Sequence, residues 1–315
     1  MENRQDVPAQ PSGSAQPSGP AQPTSTARPT TTAQPSTTAL TAAAARAAHL
    51  IVDDEPRIFA DSLAARLLGD RADELISYHT LHGTHPILAG ARTQVACRSR
   101  YTQDALNRAA AAGVTQYVIL GAGLDSFAYR GGLATRLRVF EVDHPASQEA
   151  KRAALAAARI PVPGNVTLVP ADLAANSLSG RLAGAGFDAS VSAVFGWLGV
   201  TMYLAPDAIA ETMSAVARCA RGSQLIADYL LPEEARDEAG ALYGRQVGQF
   251  SAERGEPWRS SFTPEQIADL ARTSGLGAAG SISQRDTIPA DLWRRTDALR
   301  PAALTALFHG RVTGG

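Results

Sequence analysis

The sequence predicts an α/β protein, a mostly parallel sheet with helices on both faces, preceded by a helical cap. Three observations carry this. An apolar run, Tyr117 to Leu120, ends in the turn Gly121-Ala122-Gly123. A second run, Val139 to Asp143, closes on acids that follow Gly121 by 20 and 22 residues. From there strand-like and helix-like segments alternate at intervals that suit parallel strands joined by crossover helices.

Residues 1–39 are low-complexity. Ala-Gln-Pro recurs at Ala9, Ala15, Ala21 and Ala33, and seven of the 19 prolines fall here. With no cluster of large apolar residues to offset the entropy of ordering, a disordered tail is expected. Residues 40–112 read as the cap. Ala42 to Val52 is an alanine-rich helix; Ile58, Phe59, Leu63, Leu67 and Leu68 repeat at helical spacing beyond Pro56; Asp73 to His79 is a third helix. After a looser stretch from Leu81 to Gly90, Arg92 to Ala112 makes a long helix leading into the first strand.

The remainder, 113–315, forms the sheet domain. Pro145 opens a helix to about Arg159. Asn165 to Val169 and Asp188 to Trp197 are strands three and four, with a short helical turn between them at Arg181 to Ala185. Pro206 sits in the first turn of a helix, where its missing N–H is tolerated. Gln224 to Leu230 is the fifth strand. A charged, glycine-bearing stretch at 232–262 reads as a helical insertion over the C-terminal edge of the sheet, where ligands of open α/β sheets bind. Thr263 with Gln266 three residues on marks a capped helix start. Beyond it a strand at Gly280 to Gln284 and a helix at Asp291 to Leu299 are expected.

Composition narrows the function classes. The chain has 315 residues, is 45% hydrophobic and carries a net charge of −1. No basic stripe points to nucleic acid. No apolar run approaches the ~18 residues of a membrane span, and the N-terminus lacks the apolar core of a secretion signal. Cys97 and Cys219 have neither disulfide-framework nor metal-ligand spacing. A cytoplasmic protein, with no nucleic-acid or membrane partner, is expected. His79, His82 and His85 stand three apart, but Gly83 and Pro86 break the register and no other ligand is near, so no metal is expected.

The glycine turn and the acid at the next strand end describe a nucleoside crevice. Glycine lets a ligand lie against the backbone, and an acid at this spacing reaches a ribose diol. A dinucleotide fingerprint needs a third glycine, and that place holds Ser126. Asp125 would repel a pyrophosphate but welcome an ammonium group. This favours S-adenosylmethionine over NAD.

Four motifs follow in order: Ile119-Leu120-Gly121-Ala122-Gly123-Leu124-Asp125, Phe140-Glu141-Val142-Asp143-His144-Pro145, Ala171-Asp172-Leu173, and Gly199-Val200-Thr201-Met202-Tyr203-Leu204. Together they resemble the leucine carboxyl methyltransferase family, and within it the bacterial polyketide O-methyltransferase-like branch. The resemblance covers about residues 45–275. It implies a Rossmann-like class I methyltransferase fold and S-adenosylmethionine-dependent O-methylation of a small-molecule carboxylate or hydroxyl, in secondary metabolism.

By position, the resemblance implies that Arg98 pairs with the methionine carboxylate of the cofactor, with Arg100 as the alternative two residues on. Gly121 and Gly123 would pass the methionine moiety, with Asp125 in the same turn. Asp143 would take the ribose hydroxyls, with Glu141 as its substitute. Asp172 and Leu173 would flank the adenine. Family members often carry a glutamate where this chain has Leu198. Several of these residues have plain structural alternatives. Arg98 could sit in an ordinary ion pair, Asp125 could cap the turn, Asp143 could cap the helix at Pro145, and Trp197 and Tyr203 could be core. No catalytic dyad stands out. A carboxylate acceptor needs no base; a hydroxyl acceptor would call on His79, His82, His85 or Tyr203. Two other readings stay open: an NAD(P)-dependent oxidoreductase, for which a Tyr-x-x-x-Lys pair is missing, and a methyltransferase-like protein without turnover.

Overall fold

A computed structural model describes residues 36–174, 178–277 and 279–314. Of the tail expected over 1–39, residues up to 35 lie outside the described part. Thr37, Thr38 and Ala39 belong to the first helix, α1 (Thr37–Val52), which the Ser36 hydroxyl caps by accepting from the Ala39 N–H at 3.1 Å. No helix among the described residues is long and apolar enough to cross a membrane.

The strands are β1 (Gln116–Leu120), β2 (Arg138–Asp143), β3 (Val166–Pro170), β4 (Ala193–Trp197), β5 (Gln224–Leu230), β6 (Ala279–Ser283) and β7 (Thr305–Arg311). They form one sheet in the order β3-β2-β1-β4-β5-β7-β6. The first five run parallel, and β7 is antiparallel to both of its neighbours. β1, β4 and β5 are buried along their whole length, as central strands covered on both faces must be. Alternate residues serve opposite layers. Val118, Leu120, Phe140 and Phe195 pack with Ile209, Met213 and Ile267. Tyr117, Ile119, Val139 and Val194 pack with Ala105, Leu106 and Ala109.

β4 starts at Ala193, five residues later than its apolar pattern suggests. The Asp188 carboxylate accepts from the Ser190 N–H at 2.9 Å, a local turn that competes with a strand. After α1, three more helices precede the sheet: the short α2 (Ala64–Leu67) and α3 (Ala72–Leu81) and the long α4 (Pro86–Ala111). α4 begins six residues before Arg92. Pro86 starts this helix rather than breaking it, and the His85 imidazole accepts from the Ile87 N–H. The helix expected through Ile58 and Phe59 is absent. Their N–H groups instead donate to His49 Nε2 at 3.1 and 3.4 Å. His49 Nδ1 lies 2.8 Å from Asp53, which Arg92 grips in a fork.

His79 is buried beside this cluster, 3.3 Å from Arg92. Burial, and then the guanidinium, push its pKa from 6.5 down to about 4. Between those values the unfolded chain binds a proton that the folded chain does not. Stability therefore falls as the pH drops from 6.5 to 4, by on the order of 3 kcal/mol for this group. His309, also held at about 4, titrates in the same window. Equilibrium urea unfolding at pH 7 and pH 4.5 should show a clear loss, and His79→Gln should remove roughly half of it. An unchanged slope in that variant would assign the acid sensitivity elsewhere.

After β2 come α5 (Pro145–Ala157), α6 (Leu178–Gly184) and α7 (Pro206–Ala217). The insertion contains α8 (Glu238–Glu253), followed by α9 (Pro264–Thr273), whose Thr263–Gln266 capping box is complete. No helix occupies Asp291 to Leu299 beyond a 3-10 turn at Ala290–Trp293. There Arg295 binds Asp297 and the carbonyls of Asp54 and Pro56, so side-chain bonds tie the segment to the cap instead.

Candidate functional site

β1, β2 and β4 end side by side, and their C-terminal loops open into a cavity of about 560 Å³. The glycine turn forms its floor. Gly121 and Gly123 have φ of +66° and +42°, a region in which a side chain is strained. Gly121 and Ala122 donate their N–H groups to the Val142 carbonyl at 2.8 and 3.2 Å, locking the turn to β2. Gly123 N–H donates to Asp143 Oδ2 at 2.6 Å, and Asp143 Oδ1 accepts from the His144 N–H at 2.7 Å. Asp143 thus braces the turn while lining the cavity.

Asp125 also lines it, and its Oδ1 accepts from the Phe127 N–H at 2.7 Å, so it caps the turn as well. Asp172 and Leu173, beyond β3, and Leu198, beyond β4, form part of the wall. From α4, Arg98 reaches in; its Nη1 is 2.7 Å from Asp228. Arg100, two residues on, pairs with Asp104 and the Ile58 carbonyl and is not part of the wall. Glu141 is likewise no substitute for Asp143. It lies off the cavity, fully buried, with Lys151 Nζ at 2.8 Å and the Tyr129 hydroxyl at 2.9 Å.

The far end is built largely by the insertion and the loop after β4. Tyr203, Tyr243, Val247 and Trp258 line it with Leu230 and Leu304. Neither tyrosine hydroxyl bonds to a described residue. Burial, partly countered by Arg98, pushes Tyr243 up to about 12, so it stays a protonated donor at neutral pH. The three histidines offered as bases are not at this end. His79 is buried against Arg92, while His82 and His85 are exposed at helix ends, and none lines the cavity. Among the described residues no three histidine, cysteine or acidic groups gather as a metal site. Trp197 is core; Tyr203 packs on core and faces the cavity.

Sequence reasoning passed over Asp228 and Glu256. Asp228 reads as one polar residue in an apolar strand, and its pairing with Arg98 spans 130 positions. Glu256, in the insertion loop, lines the cavity and accepts from the Thr38 N–H at 3.3 Å, so α1 walls the site.

The model of the leucine carboxyl methyltransferase family matches residues 39–217. The chain belongs to that family. It is 35% identical over 183 residues to YktD of Bacillus subtilis, which is named for S-adenosyl-L-methionine-dependent methyltransferase activity; the match covers 57% of this chain and 59% of YktD. The chain thus spans less than two thirds of that relative. A Saccharopolyspora erythraea protein of the same assignment is 31% identical over 78% of this chain and 94% of its own. For a Mycolicibacterium smegmatis relative the figures are 34%, 73% and 75%. Two solved structures share the fold with TM-scores of 0.55. One is a Thermobifida fusca protein named as a methyltransferase, 21% identical, covering 90% of this chain and 96% of its own. The other is a DUF574 family protein from Streptomyces avermitilis, 17% identical, covering 85% and 96%.

S-adenosylmethionine, the cofactor in the relatives' names, fits the family cavity of this chain. The turn is followed by a 3-10 turn, Phe127–Tyr129, rather than an α-helix whose N-terminus would hold a pyrophosphate. The cavity pairs acids suited to hydroxyls and an amine with Arg98, an arginine suited to a carboxylate.

Proposed function

We propose that the protein is an S-adenosylmethionine-dependent O-methyltransferase acting on an ionised oxygen, a carboxylate or an acidic hydroxyl, of a small molecule of polyketide type. The observation that carries this is the convergence of Arg98, the glycine turn, Asp143 and Asp172 on one cavity that aromatic residues also line, with its one histidine, His144, beside Asp143.

When bound, the cofactor supplies a methyl group on a sulfonium sulfur. Arg98 binds its carboxylate, Gly121 and Gly123 let its methionine chain lie on the turn, and Asp143 accepts from the ribose hydroxyls. Asp172 accepts from the adenine amine and Leu173 packs on the ring. At the far end Tyr203 and Tyr243 donate to the acceptor, and Trp258 walls its apolar body. No histidine stands there to remove a proton, so the acceptor arrives ionised and catalysis is alignment in a water-poor cleft. The histidine-base reading has no support in this geometry.

Calorimetric titration with S-adenosylhomocysteine and, separately, NADH tests the cofactor. The homocysteine compound should bind and NADH should not. Arg98→Ala and Asp143→Ala should each weaken binding about tenfold or more, the size of a lost charged hydrogen bond. NADH binding alone, or neither ligand binding, would overturn the reading.

A further inference from the structure

Asp228 has no part in the chemistry above, yet it organises one end of the cavity. It lies on β5, only 1% exposed. Its Oδ1 accepts from the Gly199 N–H at 2.6 Å, and its Oδ2 accepts from Arg98 Nη1 at 2.7 Å. Its own carbonyl accepts from the Thr201 hydroxyl at 2.6 Å. One residue thus ties β5 to α4 and to the loop beyond β4.

The register explains the placement. Trp197 pairs with Ala227, so Asp228 is the next residue along, at the sheet edge where the cavity opens. Gly199 completes the clamp. A Cβ there would come within 2.7 Å of Arg98 Nη2, so glycine, at φ +75°, leaves room for the guanidinium beside the loop. Leu198, the loop residue before it, supplies no charge. Arg98 spends one nitrogen on Asp228 and makes no other hydrogen bond to a described residue. Its side chain lines the cavity, which leaves the remaining donors available to a ligand there.

An arginine on a long stem loses rotamer freedom when it binds, and a planar fork must meet a carboxylate edge-on. We infer that Asp228 is the positioning residue for Arg98, holding the guanidinium so that its free donors meet the carboxylate at the amino-acid end of the ligand. Asp228 itself touches no ligand. The inference rests on the cofactor reading of the cavity.

The test separates orientation of Arg98 from general support of the fold. S-adenosylhomocysteine carries the amino-acid end, and 5′-methylthioadenosine lacks it. In Asp228→Asn the amide oxygen can still accept from Gly199, and the amide nitrogen then turns a donor toward the guanidinium. Calorimetry should show S-adenosylhomocysteine weakened about tenfold or more, with 5′-methylthioadenosine within twofold of wild type. In an Arg98→Gln background the same change should cost S-adenosylhomocysteine nothing further.

Equal loss of both ligands, no loss of either, or a full additional loss in the Arg98→Gln background would each overturn the inference while leaving the cofactor reading intact. Failure of the wild-type protein to bind S-adenosylhomocysteine would overturn both. Should Asp228→Asn not fold, Arg98→Lys serves. Lysine keeps the charge but cannot bridge Asp228 and a ligand carboxylate in one plane. Its S-adenosylhomocysteine affinity should fall about tenfold with 5′-methylthioadenosine spared, and full affinity would overturn the inference.

Discussion

Lys151→Met should destabilise the fold by about 3–5 kcal/mol, the cost of stranding a buried charge. Lys151 and Glu141 have side chains 2% and 1% exposed, with Nζ 2.8 Å from Oε2. Burial pushes the Glu141 carboxyl up, and Lys151, with the Tyr129 hydroxyl, works against that. Glu141 Oε1 has no hydrogen-bond partner, so the pair is only partly compensated as it stands. Remove the lysine and the carboxylate must either take up a proton or remain charged in an apolar layer. Pairing Lys151→Met with Glu141→Gln should restore most of the loss, because the charge goes with its partner. Urea unfolding of the two single variants and the double variant at pH 7 measures this. A Lys151→Met loss under 1 kcal/mol would mean that water reaches the pair.

Gly121→Ala should lower affinity for S-adenosylhomocysteine about a hundredfold. A Cβ at this position would stand 2.3 Å from Val200 Cγ2, and φ is +66°. Strain at positive φ costs about 1–3 kcal/mol, and overpacking against a stiff β-branched side chain adds about 1–3 kcal/mol. The turn can relieve that only by moving backbone that lines the cavity. Gly131 is the control. Its φ is +74°, a Cβ there would meet nothing within 4 Å, and it lies off the cavity. Gly131→Ala should reduce stability and leave binding unchanged. In Gly121→Ala, a further Val200→Ala should recover part of the affinity. Equal binding by Gly121→Ala and wild type would remove the turn from the site.

The parts legible in the sequence are those set by local pattern. The apolar run into Gly121 and the acid at Asp143 mark two adjacent strand ends, which backbone bonds to Val142 and the Gly123 N–H to Asp143 hold together. Thr263 and Gln266 show their capping box directly. Illegible parts depend on partners far along the chain. Ile58 and Phe59 have helical spacing, but a buried imidazole nine and ten residues back takes their N–H groups. Arg295 and Asp297 read as helix surface and instead pin the segment to the cap. β7 was missed because Gly310 and the polar His309 interrupt its apolar pattern; His309 bonds to Tyr101 and Gln224 across the sheet. At the site, residues on the turn and strand ends could be named from the chain, whereas Asp228 acquires meaning only once β5 lies beside β4.

The seat of β7 also orders events during synthesis. Of the seven described strands it is made last, yet it lies inside the sheet, between β5 and β6. Until it leaves the ribosome, β6 has nothing to pair with, and β5 presents an open edge carrying Leu225, Ala227 and Tyr229. An unpaired apolar edge is a template for mispairing with other chains. The nascent protein is therefore most exposed to aggregation after its nucleoside crevice can form but before β7 emerges, and the closing strand acts as the seal.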